Sequence, residues 1–138
     1  MNRKRMFGIV IMLAMLVTAT TASAFVQLKT DKRVYDSGEN ITFYLYNNGY
    51  GPETVDISPC NFLQIKYLNT RKSVDIHGSS MMCVAVIVNA VLQPHERIVV
   101  GEWKQQIYEN GQQNMAHKGY YRGYYNGKLS NIFKIKKP

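Results

Sequence analysis

The chain has 138 residues and a formal net charge of +8, from 17 Lys or Arg and nine Asp or Glu residues. This length accommodates one domain and little else. The basic residues are scattered along the sequence, apart from a small cluster at Lys134, Lys136 and Lys137. This pattern favours a moderately basic domain over a nucleic-acid-binding protein.

The first 24 residues have the three parts of a secretory signal peptide. A basic segment at Asn2–Arg5 precedes an apolar run from Ile9 to Ala19, and Ala22-Ser23-Ala24 supplies the small residues of a cleavage site. A retained membrane anchor is the alternative, but the apolar run is shorter than the roughly 20 residues that a spanning helix needs. We therefore predict a secreted or extracytoplasmic domain over residues 25–138, which contacts a membrane only if the signal segment stays uncleaved.

Removal of the signal segment changes the charge and the redox setting. Residues 25–138 contain 14 basic and nine acidic residues, a net charge of +5. The two cysteines, Cys60 and Cys83, are not in a Cys-x-x-Cys motif, and in an oxidising compartment such a pair favours a bridge. We predict a Cys60–Cys83 disulfide, with two free buried thiols as the alternative.

From residue 25 the sequence has the alternating apolar and polar pattern of half-buried strands. The pattern is clearest where Ile41, Phe43 and Leu45 alternate with polar or aromatic residues, and Asn126-Gly127 is the strongest hairpin signal. Strands are predicted at Phe25–Thr30, Ile41–Tyr46, Val55–Ile57, Phe62–Leu68, Ser73–His77, Ile98–Lys104, Tyr120–Tyr125 and Leu129–Lys136.

Three other segments carry separate expectations. Cys83–Leu92 is a continuous apolar run that fits either a strand buried on both faces or extended chain crossing between sheets. Gln105–Lys118 has no sustained period and is predicted to be a loop of about a dozen residues. The strand with Val99 and Trp103 on one face is predicted to be adjacent to the tyrosine-rich strand. Because no helical period is sustained after residue 24, the fold class is an all-β, antiparallel sandwich of about seven to nine strands.

Short motifs in the second half of the chain resemble a known family. Leu92-Gln93-Pro94-His95-Glu96, Trp103-Lys104-Gln105 and Gly119-Tyr120-Tyr121 resemble the BsuPI-type intracellular proteinase inhibitors, which typically show Leu-x-Pro-Gly-Glu, Trp-x-Gln and Gly-x-Tyr. Thr30-Asp31-Lys32 resembles the opening of secreted immunoglobulin-like domains. The resemblance implies an immunoglobulin-like sandwich, an inward-pointing Tyr121 and proteinase inhibition.

The chain departs from that family at several positions. His95 replaces the usual glycine, His117-Lys118 precede Gly119 where proline is usual, and the cysteine pair is outside the family pattern. The export signal also differs from an intracellular protein. No protease-contacting loop can be assigned by matching residues.

No constellation of catalytic residues stands out in the sequence. His77, His95 and His117 have no neighbouring Asp, Glu or His at helical ligand spacing, and no base and nucleophile can be paired. We interpret them as surface or loop histidines and predict no enzyme activity.

A copper site is a further alternative, since thioether and imidazole ligands suit Cu(I). The ligands would come from His77, Met81, Met82 and Cys83, together with Met115 and His117. A bridged Cys83 could not act as a ligand, and methionines commonly fill loops and core gaps. We therefore predict no metal and no cofactor.

The most unusual local composition is Gly119–Tyr125. Strand alternation places Tyr121, Gly123 and Tyr125 on one face and Tyr120, Arg122 and Tyr124 on the other. With Tyr121 pointing inward, as the resemblance implies, we expect the second set to be exposed beside Tyr44 or Tyr46. They are either ordinary surface residues or a contact for a partner, because Tyr and Arg are enriched at binding hot spots. Aromatic and arginine side chains can also stack on bases, but export argues against a nucleic-acid partner.

These patterns together favour binding over catalysis. We expect a non-enzymatic, secreted binding module that engages a protein or a cell-surface glycan through Tyr120, Arg122 and Tyr124. A proteinase inhibitor is the alternative, with Gln105–Lys118 as the candidate inhibitory segment by its length.

Overall fold

The computed structural model describes residues 25–77, 83 and 86–137. The predicted signal peptide, Met81 and Met82 lie outside the described residues. Within these ranges all regular elements are strands, and no helix is long and apolar enough to cross a bilayer. The strands are β1 (Val26–Thr30), β2 (Val34–Tyr35), β3 (Ile41–Asn47), β4 (Glu53–Asp56), β5 (Gln64–Tyr67), β6 (Lys72–Val74), β7 (Asn89–Leu92), β8 (Arg97–Trp103), β9 (Gln106–Glu109), β10 (Gln112–Met115), β11 (Gly119–Tyr125) and β12 (Lys128–Ile135).

Two main sheets form the layers of the molecule. One has the strand order β1-β3-β8 and the other the order β2-β12-β11-β5-β6, while β4-β7 and β9-β10 are separate two-stranded sheets. Only β2 and β12 pair in parallel among the described strands. The buried faces of the two main sheets meet in one core. The prediction of an all-β sandwich is confirmed, with more strands than expected.

Aromatic rings fill the space between the two sheets. Phe133 on β12 lies 5.7 Å from Phe43, 5.8 Å from Tyr35, 5.9 Å from Tyr121 and 6.4 Å from Trp103, measured between ring centroids. Most of these contacts are edge-on, the arrangement that the ring quadrupole favours. Each of the five rings is almost completely buried. This cluster is therefore the main cross-sheet contact of the core.

The strand of Trp103 and the tyrosine-rich strand lie in opposite sheets. β8 belongs to the three-stranded sheet and β11 to the five-stranded sheet, so they do not share backbone hydrogen bonds. Trp103 instead contacts Tyr121 across the core, with 5.4 Å between ring centroids. β8 and β11 therefore contact each other through side chains across the core, whereas the sequence analysis predicted that they are adjacent strands.

A β-bulge changes the direction of side chains within β8. Gly101 pairs with Phe43 and Val99 pairs with Tyr44, which leaves Val100 as an additional residue in β8. The bulge shifts the alternation, so Val99 is 56% exposed while Trp103 is 3% exposed. The prediction that Val99 and Trp103 share a face is wrong, because an inserted residue reverses the side-chain parity beyond it.

The segment predicted to be a loop, Gln105–Lys118, contains the hairpin β9–β10. Asn110 and Gly111 occupy its turn with φ angles of 52° and 76°, the left-handed conformations that two-residue hairpins need. All four residues of β10 are exposed. The loop prediction is wrong, because a strand without a buried face has no apolar alternation. The sequence signal for this hairpin was the dipeptide Asn110-Gly111 in its turn.

The predicted disulfide is confirmed. Cys60 and Cys83 are bridged, with 5.4 Å between their Cα atoms. A bridge of this kind is typical of an extracytoplasmic environment, and it closes a loop whose restriction stabilises the fold by roughly 3 kcal/mol on the chain-entropy model.

The apolar run Cys83–Leu92 is only partly a strand among its described residues. Its last four residues form β7, which pairs with β4, and residues 86–88 are not in a strand. Ile87 is 81% exposed, so a strand buried on both faces is excluded for residues 86–88. Extended chain leading into β7 describes these residues better.

We expect Gly123→Ala to destabilise the protein, because the two sheets meet closely at this position. A Cβ atom on Gly123 would lie 2.4 Å from Cε1 of the buried Phe43 ring. Overpacking of this kind costs roughly 1–3 kcal/mol, measurable by urea unfolding. Gly51→Ala is the matched control, because no heavy atom lies within 4 Å of its Cβ position. Equal urea midpoints for the two variants would contradict the close packing at Gly123.

Candidate binding surface on the five-stranded sheet

The side chains of β11 divide between the core and the surface. Tyr121, Gly123 and Tyr125 share one face, as the alternation predicted, and this face is buried, as the family resemblance implied for Tyr121. Tyr120 and Tyr124 are 49% and 39% exposed on the outer face. The structure therefore brings the predicted partner-binding residues onto one face, with Arg122 half-buried between the two tyrosines.

The flanking strands of β11 add further residues to this outer face. β11 pairs with β12 on one side and with β5 on the other. The residues aligned with the exposed positions of β11 are Lys134 opposite Tyr120, Ile132 and Lys66 opposite Arg122, and Leu129 and Gln64 opposite Tyr124. These five residues were not predicted, because the register that aligns three strands cannot be derived from the alternation of one strand.

A bulge in β12 fixes the position of Arg122. Its Nε donates a hydrogen bond of 2.7 Å to the carbonyl oxygen of Ser130. The backbone N–H of Gly123 donates to Ser130 Oγ over 2.8 Å. Both bonds form where the register between β11 and β12 shifts. The guanidinium is therefore anchored to the sheet through its Nε.

Apolar side chains surround Arg122 on the outer face. Leu129 is 54% exposed and Ile132 is 50% exposed. A groove of about 510 Å³ lies beside them and is lined by Gln64, Ile65, Lys66, Ser73, Arg122, Tyr124 and Leu129. Exposed apolar surface that also presents Tyr and Arg is typical of interaction sites.

Tyr120 carries a cation above its ring. Lys134 Nζ lies 5.4 Å from the ring centroid of Tyr120. A contact of this geometry attracts the ammonium to the ring face. The aromatic and basic character of the outer face are thus combined in one pair of side chains.

Tyr44 and Tyr46 lie on the other sheet. They belong to β3, in the three-stranded sheet, and not beside Tyr120 and Tyr124 as expected. Arg97 lies 5.4 Å from the Tyr44 ring centroid and Lys29 lies 4.3 Å from that of Tyr46. The two outer faces of the sandwich therefore have separate sets of tyrosines.

Each of the three histidines contacts a different part of the described structure. His77 Nε2 lies 2.8 Å from the carbonyl oxygen of Leu63, and His95 Nδ1 lies 3.1 Å from the hydroxyl of Tyr46. His117 Nε2 lies 3.3 Å from a carboxylate oxygen of Glu109 across the β9–β10 hairpin. Across residues 25–77, 83 and 86–137 no three His, Cys, Asp or Glu side chains form a group that could hold a metal.

The copper interpretation loses one of its ligands. Cys83 is bridged to Cys60, so its sulfur is not available to a metal. Met115 is exposed on the hairpin strand β10. The remaining methionines of that hypothesis, Met81 and Met82, lie outside the described residues.

Comparisons with known proteins assign no family. No protein-family model matches the chain, and no curated protein matches it. The DNA glycosylase AlkC of Pseudomonas fluorescens is 16% identical over 89% of this chain and 33% of its own, with a TM-score of 0.36. A β-glucosidase from Listeria innocua is 16% identical over 81% of this chain and 16% of its own, with a TM-score of 0.34.

A second β-glucosidase, EmGH1 from Erythrobacter marinus, gives similar values. It is 11% identical over 80% of this chain and 15% of its own, with a TM-score of 0.36. The chain thus spans a third or less of these solved chains. Similarity at this level carries no argument about function.

The buried tyrosines predict a loss of stability at high pH. Burial raises the pKa of Tyr121, and burial together with a hydrogen bond to Asp31 raises the pKa of Tyr35, above the ordinary value of 10.0. Above that value the unfolded chain releases protons that the folded chain retains, so the free energy of unfolding falls. One unit above it, each such tyrosine should reduce stability by about 1.4 kcal/mol.

Urea unfolding at about pH 8 and about pH 11 measures this loss. Tyr121→Phe should lose less stability between the two pH values than the wild type, because the variant lacks one ionisable phenol. An equal loss in the two proteins would show that Tyr121 ionises as readily in the folded chain as in the unfolded chain.

Proposed function

We propose that this chain is a secreted, immunoglobulin-like binding module that engages a protein partner through the outer face of the five-stranded sheet. The observation that carries the proposal is the row of exposed Tyr120, half-buried Arg122 and exposed Tyr124 on the outer face, with Leu129 and Ile132 beside it. Aromatic and arginine side chains in a partly apolar setting supply most of the binding energy in protein interfaces. The disulfide and the signal-like N-terminus support an extracytoplasmic location.

A protein partner fits this face better than a glycan. Glycans pack well on aromatic rings, but Leu129 and Ile132 offer aliphatic surface that gains most from apolar side chains. The groove beside Tyr124 is also large enough to accept a side chain from a partner. The alternative partner is a surface glycan, and the capture experiment below distinguishes it from a protein.

A proteinase inhibitor is the second candidate function, favoured by the rigidity of the β9–β10 hairpin. Tyr108 N–H donates to the carbonyl oxygen of Asp75 over 2.8 Å, and Ala116 N–H donates to that of Gln105 over 2.7 Å. These bonds fix both ends of the hairpin, and an inhibitory segment has to be held rigidly to resist cleavage. The resemblance to the BsuPI-type inhibitors supports the same function.

Capture of the native partner tests the proposed module. Purified residues 25–138, immobilised and incubated with proteins from the native cell surface, should retain a partner that the double variant Tyr120→Ala/Tyr124→Ala fails to retain. Loss of two hot-spot aromatics costs about 2 kcal/mol or more each, and hence most of the captured material. Enzymatic removal of glycans from the extract should leave the capture intact.

The double variant Tyr44→Ala/Tyr46→Ala is the matched control, with the same residue type changed on the opposite sheet. It should capture the partner as the wild type does. Equal capture by all three proteins, or loss only in the control, would show that the partner does not bind the outer face of the five-stranded sheet.

A panel of serine proteases tests the second candidate. If the hairpin is inhibitory, micromolar protein should inhibit at least one protease, and Asn110→Pro should abolish the inhibition because proline cannot adopt the positive φ of this turn. Tyr120→Ala should inhibit like the wild type. No inhibition across the panel removes this function and leaves the binding module unaffected.

A further inference from the structure

The fold separates charges that the sequence leaves scattered. The five strands of the larger sheet contain five basic residues and no Asp or Glu. All nine acidic residues of the chain lie in other strands or in loops. Residues 25–138 have a net charge of +5, which equals the charge of this sheet alone. The rest of the domain is neutral.

Three of the five cations point to the outer face. Lys66 and Arg122 are aligned on neighbouring strands, and Lys134 is aligned with Tyr120 one row further along. Ile132 is aligned with Arg122, and Leu129 is aligned with Tyr124 in the next row. The outer face is therefore both cationic and apolar, with no acidic side chain on its strands to neutralise it.

Arg122 keeps part of its hydrogen-bonding capacity for a ligand. Its Nε is engaged by the carbonyl oxygen of Ser130. In the part of the chain that the structure describes, its terminal nitrogens have neither a hydrogen bond nor an ion pair. By contrast, Lys32, in the loop before β2, forms an ion pair with Glu39. Terminal guanidinium nitrogens favour paired contacts to a carboxylate.

We propose that the partner of this face is an acidic protein segment, whose carboxylates are bound by Arg122 and Lys66 while its apolar side chains pack against Tyr124 and Leu129. This inference rests on the proposed function and specifies the chemistry of the partner. Complementary charge of this kind accelerates association and rejects basic partners. Binding should therefore weaken as salt is added.

Two other polyanions fit the face less well. A sulfated polysaccharide would satisfy the cations but leave Leu129 and Ile132 without apolar contacts. An anionic membrane requires apolar side chains to enter the lipid while cations stay at the headgroups. Here Arg122 lies between Tyr120 and Tyr124 on β11, and Lys134 follows Ile132 on the outer face of β12. The aliphatic side chains therefore cannot enter lipid without the cations beside them.

Binding to a defined acidic polypeptide tests the inference. The probe is a random copolymer of glutamate and tyrosine, with heparin and phosphatidylglycerol vesicles compared at equal charge. We expect residues 25–138 to bind the copolymer in preference to both, with affinity falling as NaCl is raised. Lys66→Glu/Arg122→Glu should weaken binding about tenfold or more, whereas Lys29→Glu/Arg97→Glu, on the opposite sheet, should weaken it less than the first pair.

Equal weakening by the two charge-reversed pairs would show that net charge, and not this face, binds the probe. Preference for heparin or for vesicles would replace the acidic protein with a polysaccharide or a membrane. Circular dichroism and thermal unfolding of each variant exclude misfolding, and Lys66→Gln/Arg122→Gln, which removes charge without adding any, should show an intermediate loss.

The native capture experiment separates this inference from the proposed function. If Tyr120→Ala/Tyr124→Ala abolishes capture but Lys66→Glu/Arg122→Glu retains it, the face binds a partner that is not acidic and the inference is wrong. If neither pair affects capture, the proposed function fails as well.

Discussion

The packing of Phe133 against rings from both sheets is the contact on which the rest of the structure depends. It joins Phe43 and Trp103 of the three-stranded sheet to Tyr35 and Tyr121 of the five-stranded sheet. The absence of a side chain at Gly123 allows Phe43 to approach β11. Because the inner side chains of β11 fill this core, its outer side chains are not needed for packing.

The bulge in β12 connects this core to the binding surface. Ser130 orients Arg122 on the outer side, while Asn131 Nδ2 donates to Thr30 Oγ1 over 2.8 Å on the other sheet. Thr30 N–H returns a hydrogen bond to Asn131 Oδ1. One irregularity therefore joins the two sheets and positions the central cation of the proposed interface, so backbone changes here should affect both.

Local patterns predicted the parts of the fold that depend on one strand at a time. Alternation assigned the faces of β3, and alternation together with the family resemblance assigned those of β11. The expected export favoured a Cys60–Cys83 bridge, and Asn126-Gly127 marked the last hairpin. The bulge at Val100 was not predictable, because it depends on pairing with a distant strand. The charge separation was not predictable for the same reason, because Lys66 lies beside Arg122 only through the register of β5 with β11.

Buried polar residues are a second limit of prediction from sequence. Gln105 is fully buried at a φ of 57°, and its Nε2 donates to the carbonyl oxygens of Asp36 and Glu39 over 2.8 Å each. Its only sequence signal was the Trp-x-Gln motif.

The central claim is that alternate side chains of β11 pack in the core and bind a partner. Site-specific photo-crosslinking on the native cell surface tests this claim most directly. Tyr120→p-benzoylphenylalanine and Tyr124→p-benzoylphenylalanine should each form an adduct with the same acidic protein on illumination. Adducts formed only when the photoreactive residue replaces Tyr44 or Tyr46 would contradict it.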